Sequence, residues 1–528
     1  ETSVPEQTAT DPSRDHSTTS EPVVPVFAEV KNFELEKSAG MALRGVIGLS
    51  EKANSPLVIL LHGRHLENET DQKPYYEGLS YLVKALAQNG FTAISIDITP
   101  AYRADDDAEM ATAIALVDAH LQAIEKAIKG EKLFPFDLTD KVDVAKLSFV
   151  GHSRGGGIAP LLANYYETKG RTIICNVLLA PTAYLGILSE DGRSAIGTSD
   201  YLVSGLNVNI KPSVGQPTAV LLAQNDGDVS DQPGYSYFLN AIQQSKPDVP
   251  VLTTWLHQAN HAGINTLLDG KADPTEFPGA TIAPAQKIQA FVQRYVVEVL
   301  KLGLEGEDQL STLFRPDAFK DYPLPSAMTI YDPKAVSLLP KLDETLQGIH
   351  STEMEIKYIQ SSAYPDKAKD SGILVIPGFD GSVESYVPLA HLTWKKSEGH
   401  LIIDLTNREG LKGGKGMLEM YWLLDPTQML NQKESVQFEV QLVEENGNRV
   451  SVQFDSSKDL SVWFEKGEIT EDPTGRQVYS RATPILTQLI SSEDHQEFNF
   501  DKLASLEIIS HSPQGVMAIY DVRWRTVE

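Results

Sequence analysis

The chain has 528 residues, more than one ordinary hydrophobic core accommodates, so two domains are expected. Its composition is 41% hydrophobic and 22% charged, that of a globular chain, and no apolar run reaches the length of a membrane span. With 45 basic against 72 acidic residues the net charge is −27, which argues against nucleic acid as a partner because little neutralises phosphate.

Residues 1–22 are rich in Thr, Ser, Glu, Pro and Asp without apolar periodicity, so they read as a disordered tether. The first residue is Glu1 rather than Met, and the only cysteine is Cys175, within the apolar run Thr172–Ala180. A removed leader and a fold independent of disulfides suggest an exported bacterial protein, extracellular or attached to the cell surface.

Val26–Leu35 and Met41–Leu49 form an expected opening hairpin, and Leu57–Leu61 a buried strand that runs into His62-Gly63-Arg64-His65. A helix is expected near Pro74–Gln88, then the short strand Thr92–Ile96. The long helix that follows carries Met110, Ile114, Val117, Leu121, Ile124 and Ile128 on one stripe. The strand end Leu147–Val150 leads into Gly151-His152-Ser153-Arg154-Gly155, and a helical apolar pattern starts at Ile158. Strand, Gly-flanked turn, helix is the context in which G-x-S-x-G acts as a nucleophile elbow.

Thr172–Leu179, Val220–Ala223 and Val251–Leu256 continue the strands. Residues 183–216 lack periodicity and suit a lid or rim, and Pro284–Leu302 is a helix. Alternating strands and helices predict an α/β unit over 23–302 with a doubly wound, mostly parallel sheet. After a connector at 303–330, period-two strands (His400–Leu405, Ser435–Val443, Arg449–Phe454, Leu460–Phe464, Ser505–Ser510, Val516–Trp524) predict an all-β sandwich over 331–528. The Asn446-Gly447 pair marks a hairpin inside it.

A serine nucleophile needs a base, and the base needs an acid to hold its tautomer. Val220–Ala223 is followed by Asp226 and Asp228; Asp226 lies closer to the strand end and is the preferred acid, with Asp228 the alternative. The loop after Val251–Leu256 holds His257 and His261. His261 stands further out among small residues and is the preferred base, whereas His257 adjoins the strand and suits packing. The oxyanion donors are expected to be the backbone N–H groups of Arg154 and Arg64, with His65 and His152 lining the pocket or supporting it. No His/Cys spacing matches a zinc motif and no phosphate-binding loop occurs, so neither a catalytic metal nor a cofactor is expected.

His62-Gly63, Gly151-His152-Ser153-Arg154-Gly155-Gly156, Asn225-Asp226 and Asn260-His261 together resemble the α/β-hydrolase superfamily over roughly 26–302. The serine motif is most similar to the branch with dienelactone hydrolases, chlorophyllases, platelet-activating-factor acetylhydrolases and bacterial polyester hydrolases. The resemblance implies an esterase acting on small-molecule, lipid-like or polymeric esters, in which Ser153 attacks the carbonyl, His261 shuttles the proton and Asp226 orients His261. The chain departs from secreted polyester hydrolases in carrying His152 before the serine and in lacking a disulfide near the histidine loop.

The C-terminal region is similar in pattern to jelly-roll accessory domains, which implies a carbohydrate or surface ligand. Trp394, Trp422, Trp463 and Trp524 serve either as a stacking platform or, for most of them, as core. A serine peptidase or amidase, and a non-catalytic binding protein on a hydrolase scaffold, are the competing readings.

Overall fold

The computed structural model describes residues 28–528 outside 67–69, 183–200, 204–205, 207, 211–214, 230–232, 236, 239–248, 269–280, 307–323, 325, 332–334, 340–347, 363–373, 376–386, 407–414, 425–434, 457–468, 472–476, 480–484 and 527–528. The expected tether, most of the expected lid, the strand Leu460–Phe464 and Trp463 lie outside the described residues.

Nine strands build the first sheet: β1 (Val30–Ser38), β2 (Met41–Gly48), β3 (Ser55–Leu61), β4 (Thr92–Ile96), β5 (Val142–His152), β6 (Thr172–Leu179), β7 (Thr218–Ala223), β8 (Val251–Leu256) and β9 (Ser326–Tyr331). Their order is β1-β2-β4-β3-β5-β6-β7-β8-β9. From β4 through β8 the neighbours run parallel, while β1, β2 and β9 pair antiparallel at the two edges. Strands β3, β4, β7 and β8 are buried along their whole length, as expected of central strands covered on both faces. Strand β9 straddles the expected boundary at 330/331 and joins the α/β sheet rather than the C-terminal unit.

The helices that flank this sheet are α1 (Ser80–Gln88), α2 (Asp106–Ile128), α3 (Arg154–Thr168) and α4 (Ala285–Glu305). The expected helix at 74–88 opens with the 3-10 turn Tyr75–Leu79, and α4 runs into the expected connector at 303–330. In α4, Ile288, Phe291, Val292, Tyr295, Val296 and Val299 are buried, so the apolar stripe does what its spacing predicts. No helix among the described residues is long and apolar enough to cross a membrane.

The C-terminal part is all-β and mostly antiparallel, with one seven-stranded and one five-stranded sheet. A single buried cluster draws on both: Leu392, Trp394, Trp422 and Met517 from the first sheet, Phe438, Val440, Leu506 and Ile508 from the second. Trp422 meets Phe438 edge-on with ring centroids 4.8 Å apart, and Phe438 stacks on Phe454, also at 4.8 Å. Trp394, Trp422 and Trp524 are all buried in this cluster, so they build core and are not exposed for stacking on a ligand.

Strand Gly416–Leu424 has two packing faces. Leu418, Met420, Trp422 and Leu424 point into the C-terminal core, whereas Tyr421 joins the α/β core and stacks on Phe238 at 5.4 Å. On the same outward face, Glu419 meets Arg525 at 2.5 Å and Arg523 meets Asp521 at 2.7 Å, all four buried.

Phe438→Ala should lower the unfolding free energy by about 3–5 kcal/mol, because it empties the contact between the two C-terminal sheets. Denaturant unfolding followed by tryptophan fluorescence measures this, and a loss below about 1 kcal/mol would mean the sheets do not share a packed core.

Candidate active site

Ser153 sits between β5 and α3 with φ 56° and ψ −124°, a conformation that costs a non-glycine residue on the order of 1–3 kcal/mol. The surroundings over-determine it. Its N–H donates to the Leu179 carbonyl (3.0 Å), and its carbonyl accepts from the N–H groups of Gly156 (2.9 Å), Gly157 (3.2 Å) and Thr182 (3.1 Å).

The turn closes only where side chains are absent. A Cβ on Gly151 would stand 2.3 Å from the Gly155 carbonyl oxygen, and one on Gly155 would stand 2.5 Å from both the His62 and Leu61 carbonyl oxygens. Arg154, the first residue of α3, forks onto the buried Glu109 of α2 with contacts of 2.9 and 2.6 Å. That pair anchors the start of the helix behind the serine.

The loop after β3 passes directly over Ser153. A Cβ on Gly63 would lie 2.6 Å from Ser153 Cβ and 2.3 Å from His65 Nε2. His62 is fully buried and pins this loop: Nδ1 lies 2.8 Å from the Gly63 carbonyl oxygen, and Nε2 accepts from the Ile98 N–H at 3.2 Å. Tyr102 donates to the His62 carbonyl at 2.5 Å. Arg64 follows Gly63 in the segment that passes the serine.

The loops that carry Asp226 and His261 leave the adjacent parallel strands β7 and β8. Two backbone bonds tie them, Gln224 N–H to Leu256 O (3.0 Å) and Asn225 N–H to Ala259 O (2.7 Å). Asp226 and His261 are thereby brought together, with Nδ1 of His261 2.8 Å from Oδ2 of Asp226. The other carboxylate oxygen, Oδ1, accepts from the N–H groups of Asp228 (3.1 Å) and Val229 (2.7 Å), so the acid is held by its own loop.

The alternatives separate clearly. Asp228 is more than half exposed, and its Oδ2 lies 3.5 Å from Nε2 of His261, on the opposite edge of the ring from Asp226. His257 is buried with Nδ1 3.1 Å from Gln224 Oε1, and burial pushes its pKa down to about 4. On the far side, the Tyr81 hydroxyl donates to the Ile264 carbonyl (2.9 Å) and the Asn265 side-chain amide to the Tyr75 carbonyl (2.9 Å). These bonds fasten the histidine loop to the start of α1.

Sequence reasoning missed one arrangement. His65, His152 and His261 gather so that one ligand atom of each lies within 4.8 Å of the others. The His152 ring centroid is 4.7 Å from that of His261 and 5.1 Å from that of His65. Burial, reinforced by mutual repulsion among these rings, holds His65 and His152 well below the usual histidine range, so both are neutral at pH 7. The three come from separate stretches of chain, the loop after β3, the end of β5 and the loop after β8, so no linear motif announces them.

No known family pattern matches the chain, and no curated protein matches it. Among solved structures it is similar to Est1E from Butyrivibrio proteoclasticus, at 12% identity and a TM-score of 0.31, over 51% of this chain and 99% of that one. It is also similar to the dienelactone hydrolase-like promiscuous phosphotriesterase P91 from metagenomic libraries, at 14% identity and a TM-score of 0.33, over 52% and 98%.

Gly155→Ala should destabilise the chain by about 1–3 kcal/mol, since the new methyl meets two backbone carbonyls that cannot move aside separately. A thermal melt reads this, and an unchanged Tm would mean that the turn has slack. Acid should also unfold the protein early. His257, and His120 behind β1 and β2, sit at about 4 when folded against 6.5 when exposed. Their contribution is complete above about pH 6.5 and drains away as pH falls towards 4. Denaturant midpoints measured between pH 7 and 4 should fall, and less steeply in His257→Gln; parallel slopes would count against His257 as a source.

Proposed function

We propose that this chain is a serine hydrolase that cleaves carboxylic esters through an acyl-enzyme, with Ser153 as nucleophile, His261 as general base and acid, and Asp226 as the orienting acid. The observation that carries the reading is the 2.8 Å contact of Asp226 with Nδ1 of His261, whose ring lies 4.7 Å from that of His152, the residue before a serine held at φ 56° at the mouth of a helix. With Nδ1 committed to the carboxylate, Nε2 is the nitrogen that handles the proton.

In the first half-reaction His261 Nε2 takes the Ser153 hydroxyl proton as Oγ bonds to the ester carbonyl carbon. The backbone N–H groups of Arg154 and Arg64 receive the developing oxyanion. The proton then passes to the departing alkoxide, and the acyl group stays on Ser153. In the second half-reaction His261 deprotonates water, which attacks the acyl carbon, and Ser153 recovers its proton as the carboxylic acid leaves.

The α/β unit then has the α/β-hydrolase fold, and the two C-terminal sheets form a jelly-roll-like sandwich that accompanies it.

The test is hydrolysis of p-nitrophenyl esters from acetate to palmitate. Ser153→Ala should lose at least about a thousandfold in kcat, and Asp226→Asn a comparable factor, as removal of a triad member does. Asp228→Asn should retain the wild-type order of magnitude, because its carboxylate sits on the proton-handling edge of His261 and does not orient the ring. Activity that survives in Ser153→Ala, or collapses in Asp228→Asn but not in Asp226→Asn, would overturn the assignment.

A further inference from the structure

The three-histidine cluster has a property that ester hydrolysis does not use. His65 Nε2 and His152 Nδ1 lie 3.3 Å apart. Two nitrogens bound to one tetrahedral zinc ion at about 2.0–2.1 Å stand about 3.3–3.4 Å from each other. The spacing between these two rings is already that of one edge of a zinc tetrahedron.

The third corner comes from His261. Its Nδ1 is taken by Asp226, which leaves Nε2 as the donor, and a histidine oriented by a carboxylate is the usual way a protein prepares an imidazole for zinc. The 4.8 Å limit on the whole group is wider than a metal edge, and His65 is the ring with freedom to close it, since it alone of the three is not fully buried. Asp228 Oδ2, 3.5 Å from His261 Nε2 and on an exposed side chain, brings an anionic oxygen within reach of the remaining corner. Imidazole donors favour borderline dications such as Zn2+, Cu2+ and Ni2+ over Mg2+ and Ca2+.

We propose that His65, His152 and His261 form a binding site for a borderline transition-metal dication, foremost Zn2+, and that the bound ion switches the hydrolase off by occupying Nε2 of His261. The first half of this stands on the cluster's geometry alone, and the second half rests on the role of His261 proposed above. While the metal holds that lone pair, His261 cannot accept the serine proton. In the empty site His65 and His152 share one proton across their 3.3 Å contact; on binding, that proton moves to the far nitrogen of its own ring and both facing lone pairs turn to the metal.

The experiment uses the full chain stripped of metal. Zn2+ is titrated calorimetrically into wild type and His65→Ala, Co2+ is added to wild type and its visible spectrum recorded, and ester hydrolysis is followed against free Zn2+. Expected are one zinc per chain, the intense visible bands of tetrahedral cobalt, and binding weakened at least about tenfold in His65→Ala, since even outer partners of metal ligands are worth that much. Ester hydrolysis should fall in proportion to occupancy, return on addition of a chelator, and need correspondingly more zinc in the variant.

Absence of binding to wild type, a weak octahedral cobalt spectrum, or equal binding by both proteins would overturn the site. The cobalt spectrum decides the matter on wild type alone if His65→Ala does not fold. Ester hydrolysis indifferent to bound zinc would sink the switch and leave the esterase reading intact. Zinc bound to a chain without ester activity would keep the site and sink the esterase reading. Activity that rises with zinc would overturn both.

Discussion

The site depends on how closely α3 passes β5 and β3. A Cβ on Gly155 would come within 2.5 Å of the Leu61 and His62 carbonyls, so the helix start lies against the backbone of the neighbouring strand with no side chain between. That proximity forces Ser153 into its positive-φ turn, brings the Gly63 loop over it, and places His152 where it meets His261. Packing around the turn sustains the strain. The Arg154–Glu109 fork clamps the helix from behind, and the Leu179 carbonyl holds the serine N–H from the side.

A second constraint brings Asp226 and His261 together. Strands β7 and β8 are parallel neighbours in register from Thr218 with Val251 to Ala223 with Leu256, so the loops that follow them leave the sheet at the same height and side by side. Functional groups at the carboxyl ends of adjacent strands meet without either loop being long. Asp226 then satisfies two backbone N–H groups of its own turn and still has an oxygen for His261.

Much of this was legible in the sequence because it depends on local chemistry. The Gly-x-Ser-x-Gly stretch, the strand ends before Asp226 and His261, and the apolar stripes of α2 and α4 each follow from residue type and period. The period-two runs at 400–405, 435–443 and 505–510 likewise became strands His400–Asp404, Gln437–Glu444 and Leu503–Ser510. What escaped was non-local. The histidine cluster joins positions that no motif spans, and β9 joins the first sheet by pairing with β8 across the stretch 257–325. The tryptophans illustrate the same limit: alternation says which face they share, but only the second sheet behind them shows that the face is covered.

A line of rings links the two units. Trp255 on β8 packs against Tyr235 at 5.6 Å, Tyr235 against Phe238 at 5.4 Å, and Phe238 against Tyr421 of the C-terminal part at 5.4 Å. Tyr421 is buried in the core of the first unit, and Ala518 accompanies it there. Cutting the chain between the two units would leave this aromatic surface and four buried charges facing water. The C-terminal strands thus complete the core of the α/β unit, and removing them would strip part of that core.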